Sequence, residues 1–323
     1  MKPLLNAMCF VFAGSFAVAV DAASRDTYPD KPIRIITSEP GGGVDFAARL
    51  MAPALTGTLG QQVIVENRGG AGGAIAADRV ARASPDGYTL LLYGSPIWLA
   101  PFLRDKVTYD PVKDFAPITL TTRSPTVLVV NPSVAAHSVK ELVALAKAKP
   151  GAINIAVGGS GTASHLATEL FKATAGVNMV VVPYKGSGPV ITALLGGEVL
   201  MTFSNAAAIA PHVKSGKLRA LAVTSAQPSP LVPDLPTVAA SGLPGYESTS
   251  IYGVLAPAKT PTPIIMRLNL ELVRFLMQPD VKQKFLNSGV ETVGNTPREF
   301  AAAIKSDMNK LGKIIKDAGI REQ

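Results

Sequence analysis

The sequence holds one cysteine, one tryptophan and three histidines in 323 residues. His137, His165 and His212 form no HExxH run and no Cys/His cluster, so no metal site is expected. Cys9 lies in an N-terminal segment read below as removed. The mature chain then has neither thiol nor disulfide, as suits a domain large enough to rely on its core. Aromatic residues are only 6% of the chain and do not interleave with cations. The net charge of +8 is scattered, with no block of five or six basic residues, so no nucleic-acid partner is expected. A diffuse positive field either draws anionic solutes or simply aids solubility. Nucleotide motifs are missing too. A G-x-G-x-x-G fingerprint counted from Gly41 ends on Phe46, and counted from Gly70 it ends on Ile75. No G-x-x-x-x-G-K-[ST] occurs, and no cofactor is expected. Ser160, in Gly158-Gly159-Ser160-Gly161-Thr162, fails the G-x-S-x-G nucleophile elbow at its last position.

What is present describes an exported globular protein. The composition, 47% hydrophobic and 17% charged, fits a folded chain. Lys2 precedes an apolar run from Met8 to Val20, and the small residues Ala22, Ala23 and Ser24 follow. That layout predicts a secretory signal peptide over residues 1–23, too short to span a bilayer, with cleavage after Ala22 or Ala23. Nothing later reads as a transmembrane segment, and no heptad or large apolar stripe argues against a monomer.

Apolar runs alternate with helical patterns almost from end to end. Strands are expected at residues 33–36, 63–65, 89–93, 127–130, 153–157, 180–182, 199–203 and 218–223. Such short continuous runs suit parallel strands buried on both faces, and the fold class is α/β. Ser138 to Glu141 and Thr296 to Glu299 read as capping boxes opening helices, the second with Pro297 at the first position. Leu268, Leu272, Phe275 and Leu276 share a helical face. Stretches near Pro117–Val130 and Tyr246–Ala256 read as two connections between lobes. Lobe 1 is then residues 24–124 plus 249–323, and lobe 2 is residues 125–248.

Four strand ends run into small-residue loops that open helices: Ser38 to Asp45, Asn67 to Gly73, Gly158 to His165, and Tyr184 to Pro189. Ligands settle beyond the carboxyl ends of strands in open parallel sheets. There glycine lets the backbone approach, and the free N–H groups of a helix N-terminus attract anions. Each loop alone reads equally as a tight turn with a helix cap; four together point to a ligand. The candidate contacts are Glu39, Gly41, Gly42, Gly43, Val44 and Asp45 in the first loop, and Ser160, Thr162 and Ser164 in the third. Gly186 and Ser187 in the fourth, with Ser204 and Asn205 after the 199–203 strand, complete the set apart from Trp98. Thr162 reads as a helix N-cap. His165 then falls in the first turn, as a core or cap-supporting residue or as a ligand contact. Trp98 is either a core or interdomain ring or a cleft wall stacking on the ligand.

The chain resembles the extracytoplasmic solute receptors of tripartite tricarboxylate transporters, the TctC or Bug receptors. The resemblance covers essentially the whole mature chain and rests on motifs in order. They are Tyr28-Pro29-Asp30-Lys31-Pro32-Ile33, Pro40-Gly41-Gly42-Gly43, Val65 through Gly73, Tyr109 through Phe115, Pro183-Tyr184-Lys185-Gly186, Pro233 through Thr237 and Ala256-Pro257-Ala258. It implies a type-II periplasmic-binding-protein fold, in which two α/β lobes joined by two crossover strands close a cleft on a small organic acid. It also implies a periplasmic receptor that hands its carboxylate to transporter membrane subunits and catalyses nothing. Family ligands are held largely by backbone N–H groups, hydroxyls and water. Two positions depart from the pattern. Glu39 stands where relatives usually carry an apolar residue or proline, and Val44 where they often offer a hydroxyl or amide. Two other readings compete: a sensing receptor acting on a signalling partner, and an exported hydrolase using Ser160 and His165.

Overall fold

In the computed structural model the described residues are 28–37, 40 and 43–321. The segment read as a signal peptide, with Cys9, lies outside them, as do Glu39, Gly41 and Gly42. The chain opens with β1 (Ile33–Thr37), α1 (Gly43–Leu59), β2 (Val63–Asn67), α2 (Ala74–Ala81), β3 (Thr89–Gly94) and α3 (Pro96–Leu103). It continues through β4 (Phe115–Val130), α4 (Val139–Ala148), β5 (Asn154–Val157), α5 (Ala163–Ala175), β6 (Val180–Pro183), α6 (Ser187–Gly196), β7 (Met201–Asn205), α7 (Ala206–Lys214) and β8 (Arg219–Val223). It ends with β9 (Thr249–Pro257), α8 (Thr262–Leu276), α9 (Pro279–Asn287), β10 (Glu291–Thr292) and α10 (Pro297–Asp317).

These strands make two α/β lobes that share β4. In the first lobe β2, β1 and β3 are parallel, and β9 lies antiparallel between β3 and β4. In the second, β6, β5 and β7 are parallel, and β7 and β8 run antiparallel to β4. The parallel strands expected from the sequence are present in each lobe, and antiparallel pairs are added where the shared strand enters each sheet. The switch falls inside β4: Phe115 through Pro125 pair with β9, whereas Thr126 through Val130 pair with β7 and β8. Thr224 pins the crossing, its hydroxyl taking the Thr126 N–H at 2.8 Å. The second crossing is at Ser248, whose N–H is held by Thr224 O in lobe 2 just before β9 begins.

Each sheet is covered on both faces, giving three layers per lobe. In β1, Ile33 and Ile35 enter the core beneath α1 and α8 while Ile36 enters the opposite one with α2, α3 and α10. Leu268, Leu272 and Leu276 of α8 are fully buried, each contributing roughly 1.5–3 kcal/mol. Lobe 2 repeats the plan, with α4 and α5 on one face and α6 and α7 on the other. The Thr296 capping box forms in full. At α4, Ser138 caps Glu141 N, but the Glu141 carboxylate reaches back to His137 N. The lobes also meet away from the crossings, since Leu166 of α5 packs into the lobe-1 core that holds Trp98.

Candidate functional site

The carboxyl ends of β5 and β6 build one edge of the inter-lobe cleft. After β5 the chain turns through Gly159 (φ 131°) and Gly161 (φ 72°), backbone conformations that side chains disfavour. Thr162 caps α5: its Oγ1 accepts from His165 N at 3.4 Å and donates to Gly159 O at 2.8 Å. Ser164 Oγ accepts from Gly158 N at 3.0 Å and lies 3.1 Å from Thr162 Oγ1. Because the Thr162 proton is on Gly159 O, the Ser164 hydroxyl donates to Thr162, making a relay that stiffens the loop. His165 Nδ1 accepts from Gly161 N at 3.2 Å, so the ring holds that nitrogen unprotonated. Burial lowers its pKa in the same direction, favouring the neutral form. His165 is therefore a support of the α5 cap.

The loop after β6 lies against this one. Gly186 N donates to Gly158 O at 3.1 Å, and Tyr184 N to Val157 O at 2.8 Å. Gly186 (φ 96°, ψ 177°) turns the chain into α6, whose first residue, Ser187, is exposed. The N-termini of α5 and α6 thus stand side by side, and the first N–H groups of each helix lack intrahelical acceptors. Their partial positive charge suits an anion.

Lobe 1 meets the α5 N-terminus through the loop after β3. Gly94 is packed under Tyr252 and Ile251 of β9, and Ser95 N donates to Ile251 O at 3.2 Å. A cavity of about 120 Å³ between the lobes is lined by Ser95 and Pro96, by Thr162 and Ala163, and by Thr249 and Tyr252 on the crossover strand. Thr249 Oγ1 is buried without a hydrogen-bond partner. Ser95 Oγ faces the Asp307 carboxyl without a well-formed hydrogen bond. The residues of the α5 N-terminus and of the crossover strand thus border this small space together.

The remaining candidates are placed as follows. Gly43 is exposed at the start of α1, and Val44 is half-buried against the lobe-1 core. Asp45 is buried and engaged, taking Arg49 Nε at 3.0 Å and Asn67 Nδ2 at 2.7 Å, which ties α1 to the end of β2. Trp98 is 1% exposed, packed edge-on against Phe300, with its ring N–H donated to Asp307 at 2.7 Å. It is the core ring and offers no wall to a ligand. Ser160 Oγ donates to Arg321 O at 2.6 Å, linking the lobes. With that proton committed and His165 Nδ1 on Gly161 N, the hydrolase pairing is overturned, for neither side chain engages the other. Ser204 is buried in β7 opposite Val127. Asn205 caps α7 and reaches Gly289 O of lobe 1 at 3.3 Å.

Ser95, Thr249 and Tyr252 escaped the sequence reading. Gly94-Ser95-Pro96 carries the same signature as the four glycine loops, a strand end running into small residues and a helix-opening proline. Thr249 and Tyr252 carry no local signal, since only pairing places β9 at the cleft. Among the described residues no group of His, Cys, Asp or Glu could hold a metal ion, and no helix is long and apolar enough to cross a membrane.

Two lobes, two crossings and the α5 N-terminus at the space between define a receptor of the type-II periplasmic-binding-protein fold. Residues 47–320 match the family described as "Tripartite tricarboxylate transporter family receptor". The chain is 36% identical to Protein BugT of Bordetella pertussis over 320 residues, covering 98% of each chain. It belongs to this family of receptors. Among solved structures it is similar to Rpa4515 of R. palustris with adipate (36% identity, TM-score 0.73, 91% of this chain and 99% of that one). It is also similar to MatC from Rhodopseudomonas palustris with bound malate (30% identity, TM-score 0.69, 89% of this chain and 100% of that one).

Proposed function

We propose that this chain is a periplasmic receptor that closes its two lobes on a small aliphatic carboxylate and delivers it to the membrane subunits of a tripartite tricarboxylate-type transporter. The observation that carries the reading is the pairing of the α5 and α6 N-termini at the cleft, joined by the 3.1 Å Gly186–Gly158 hydrogen bond. Backbone donors and hydroxyls line that edge, and a carboxylate needs donors. The relatives solved with adipate and malate support the same ligand class. Each helix N-terminus contributes only about 0.3–1 kcal/mol to an exposed charge, whereas micromolar affinity corresponds to about 8 kcal/mol. Closure that desolvates the ligand supplies much of the rest. Calorimetric titration of the mature protein with malate, adipate and other C4 to C6 acids is the test, with a neutral sugar and an amine as controls. Binding of the controls but of no acid would overturn it.

A further inference from the structure

A cavity of about 830 Å³ lies not in the cleft but on the outer face of lobe 1. It forms because α1 covers one face of the sheet completely, while on the other face α2 leaves edge strand β2 uncovered. Four arginines line it: Arg34 from β1, Arg68 after β2, and Arg79 and Arg82 at the end of α2 and just beyond it. Among the described residues Asp78 is the one lining carboxylate, and it is held by Arg82 at 2.9 Å. Glu66 beside the groove is taken up by Arg68 at 2.7 Å, with Arg79 at 3.9 Å. Arg34 has no ion pair among the described residues and is exposed. Two cations are thus in excess. Ile75 in the groove and Ile64 in the adjoining hollow beside Arg34 and Asp86 leave 53% and 40% of their surface to solvent.

We propose that this groove docks an acidic, apolar-anchored peptide segment of the membrane-bound transporter partner, a proposal that rests on the receptor reading above. Three observations select such an occupant. Arg34 pairs in register with Ile64, and Arg68 follows one residue beyond the end of β2, so their backbone positions are about 13 Å apart along the strands. With Arg68 turned onto Glu66 and Arg34 left exposed, an extended segment with spaced Asp or Glu can meet these cations in turn. The exposed isoleucines favour apolar side chains between those acids, and β2 is the edge strand of the lobe-1 sheet, its first N–H, on Val63, already held by Thr56 Oγ1. The groove is recessed beside α2, which a flat bilayer does not enter. Its Arg68 end adjoins the loop beyond β2, at the strand ends where the cleft opens, so a segment docked there lies against the rim.

The test pairs Arg34→Glu with Arg79→Glu, two side chains outside the cleft. Wild-type and doubly reversed receptor are compared for malate and adipate affinity by calorimetry. Uptake of the labelled acid is then measured into proteoliposomes holding the small and large membrane subunits of a tripartite tricarboxylate-type transporter. The double variant is expected to bind within twofold of wild type and to support at least tenfold less uptake at sub-saturating receptor. Ile75→Cys, bearing a photo-crosslinker, is expected to capture a membrane subunit. Wild-type uptake by the double variant overturns the proposal. So does groove-dependent binding to subunit-free vesicles of anionic lipid, which would assign the surface to the membrane. If wild type binds neither acid, the receptor reading fails instead, and crosslinking from Ile75→Cys still reports whether the groove meets the subunits.

Discussion

The hydroxyl of Thr162 donates to Gly159 O and accepts from His165 N before any ligand arrives. Its effect on binding therefore runs through loop order. Thr162→Ala is expected to cost about 1 kcal/mol in the unliganded protein, and Thr162→Ser much less, by urea titration. His165 carries a pH dependence of definite sign. Burial lowers its pKa, so the folded chain binds fewer protons than the unfolded one, and stability falls as pH drops below about 6.5. His165→Gln keeps an acceptor for Gly161 N without titrating, and its denaturation midpoint is expected to fall less than wild type's between pH 7 and 5. Asp307 runs the other way. Burial raises its pKa, with the Trp98 N–H opposing, so the carboxyl favours the fold when protonated and loses that contribution as pH rises through its folded pKa. Asp307→Asn keeps an acceptor for Trp98 and is expected to be at least as stable as wild type at pH 8, the gap closing toward pH 4. Asp307→Ala orphans the indole N–H and is expected to cost about 1–3 kcal/mol at pH 7.

Among the elements, two of the glycine-opened helices, α6 and α1, make different demands. Gly186 holds φ 96° and ψ 177°, a region almost closed to other residues, yet a Cβ there meets nothing within 4 Å. Gly186→Ala is therefore expected to cost about 1–3 kcal/mol through backbone strain alone and to weaken carboxylate binding by turning the α6 N–H groups. Gly43 opens α1 with ordinary backbone angles and open space around it. Gly43→Ala is expected to leave the melting temperature nearly unchanged. Differential scanning calorimetry of both variants separates a glycine required by its dihedral angles from one required only by what approaches it.

For the whole molecule, the consequence of a cleft between lobes is linkage. A carboxylate at a hundred times its dissociation constant is expected to add about 2.7 kcal/mol to stability, read as a raised melting temperature with malate or adipate. No such shift with any C4 to C6 acid would count against a carboxylate cleft. Among the contacts that brace one lobe against the other are Ser160 Oγ on Arg321 O, and Lys310 with Glu247 at 3.0 Å. Both are partly exposed, so each is worth less than about 1 kcal/mol. They bias closure without fixing it.

How much was legible in advance follows from distance along the chain. The α/β alternation, the Thr296 capping box and the Thr162 cap were read correctly because periodicity and i to i+3 bonding are written within a few residues. The family resemblance likewise needed only motifs in order. The fate of each hydroxyl and ring was decided by partners that no local pattern names. Trp98 meets Asp307 across 209 residues, Ser160 meets Arg321 across 161, and Asn205 meets Gly289 across 84. The antiparallel centre of each sheet arose the same way, since a strand's neighbours depend on which other strands complete the layer. The sequence alone determined which helices open on glycine and hydroxyl residues. Tertiary structure decided which of those groups remain free for a ligand, because a hydrogen-bond donor already satisfied within the fold has no proton left to offer.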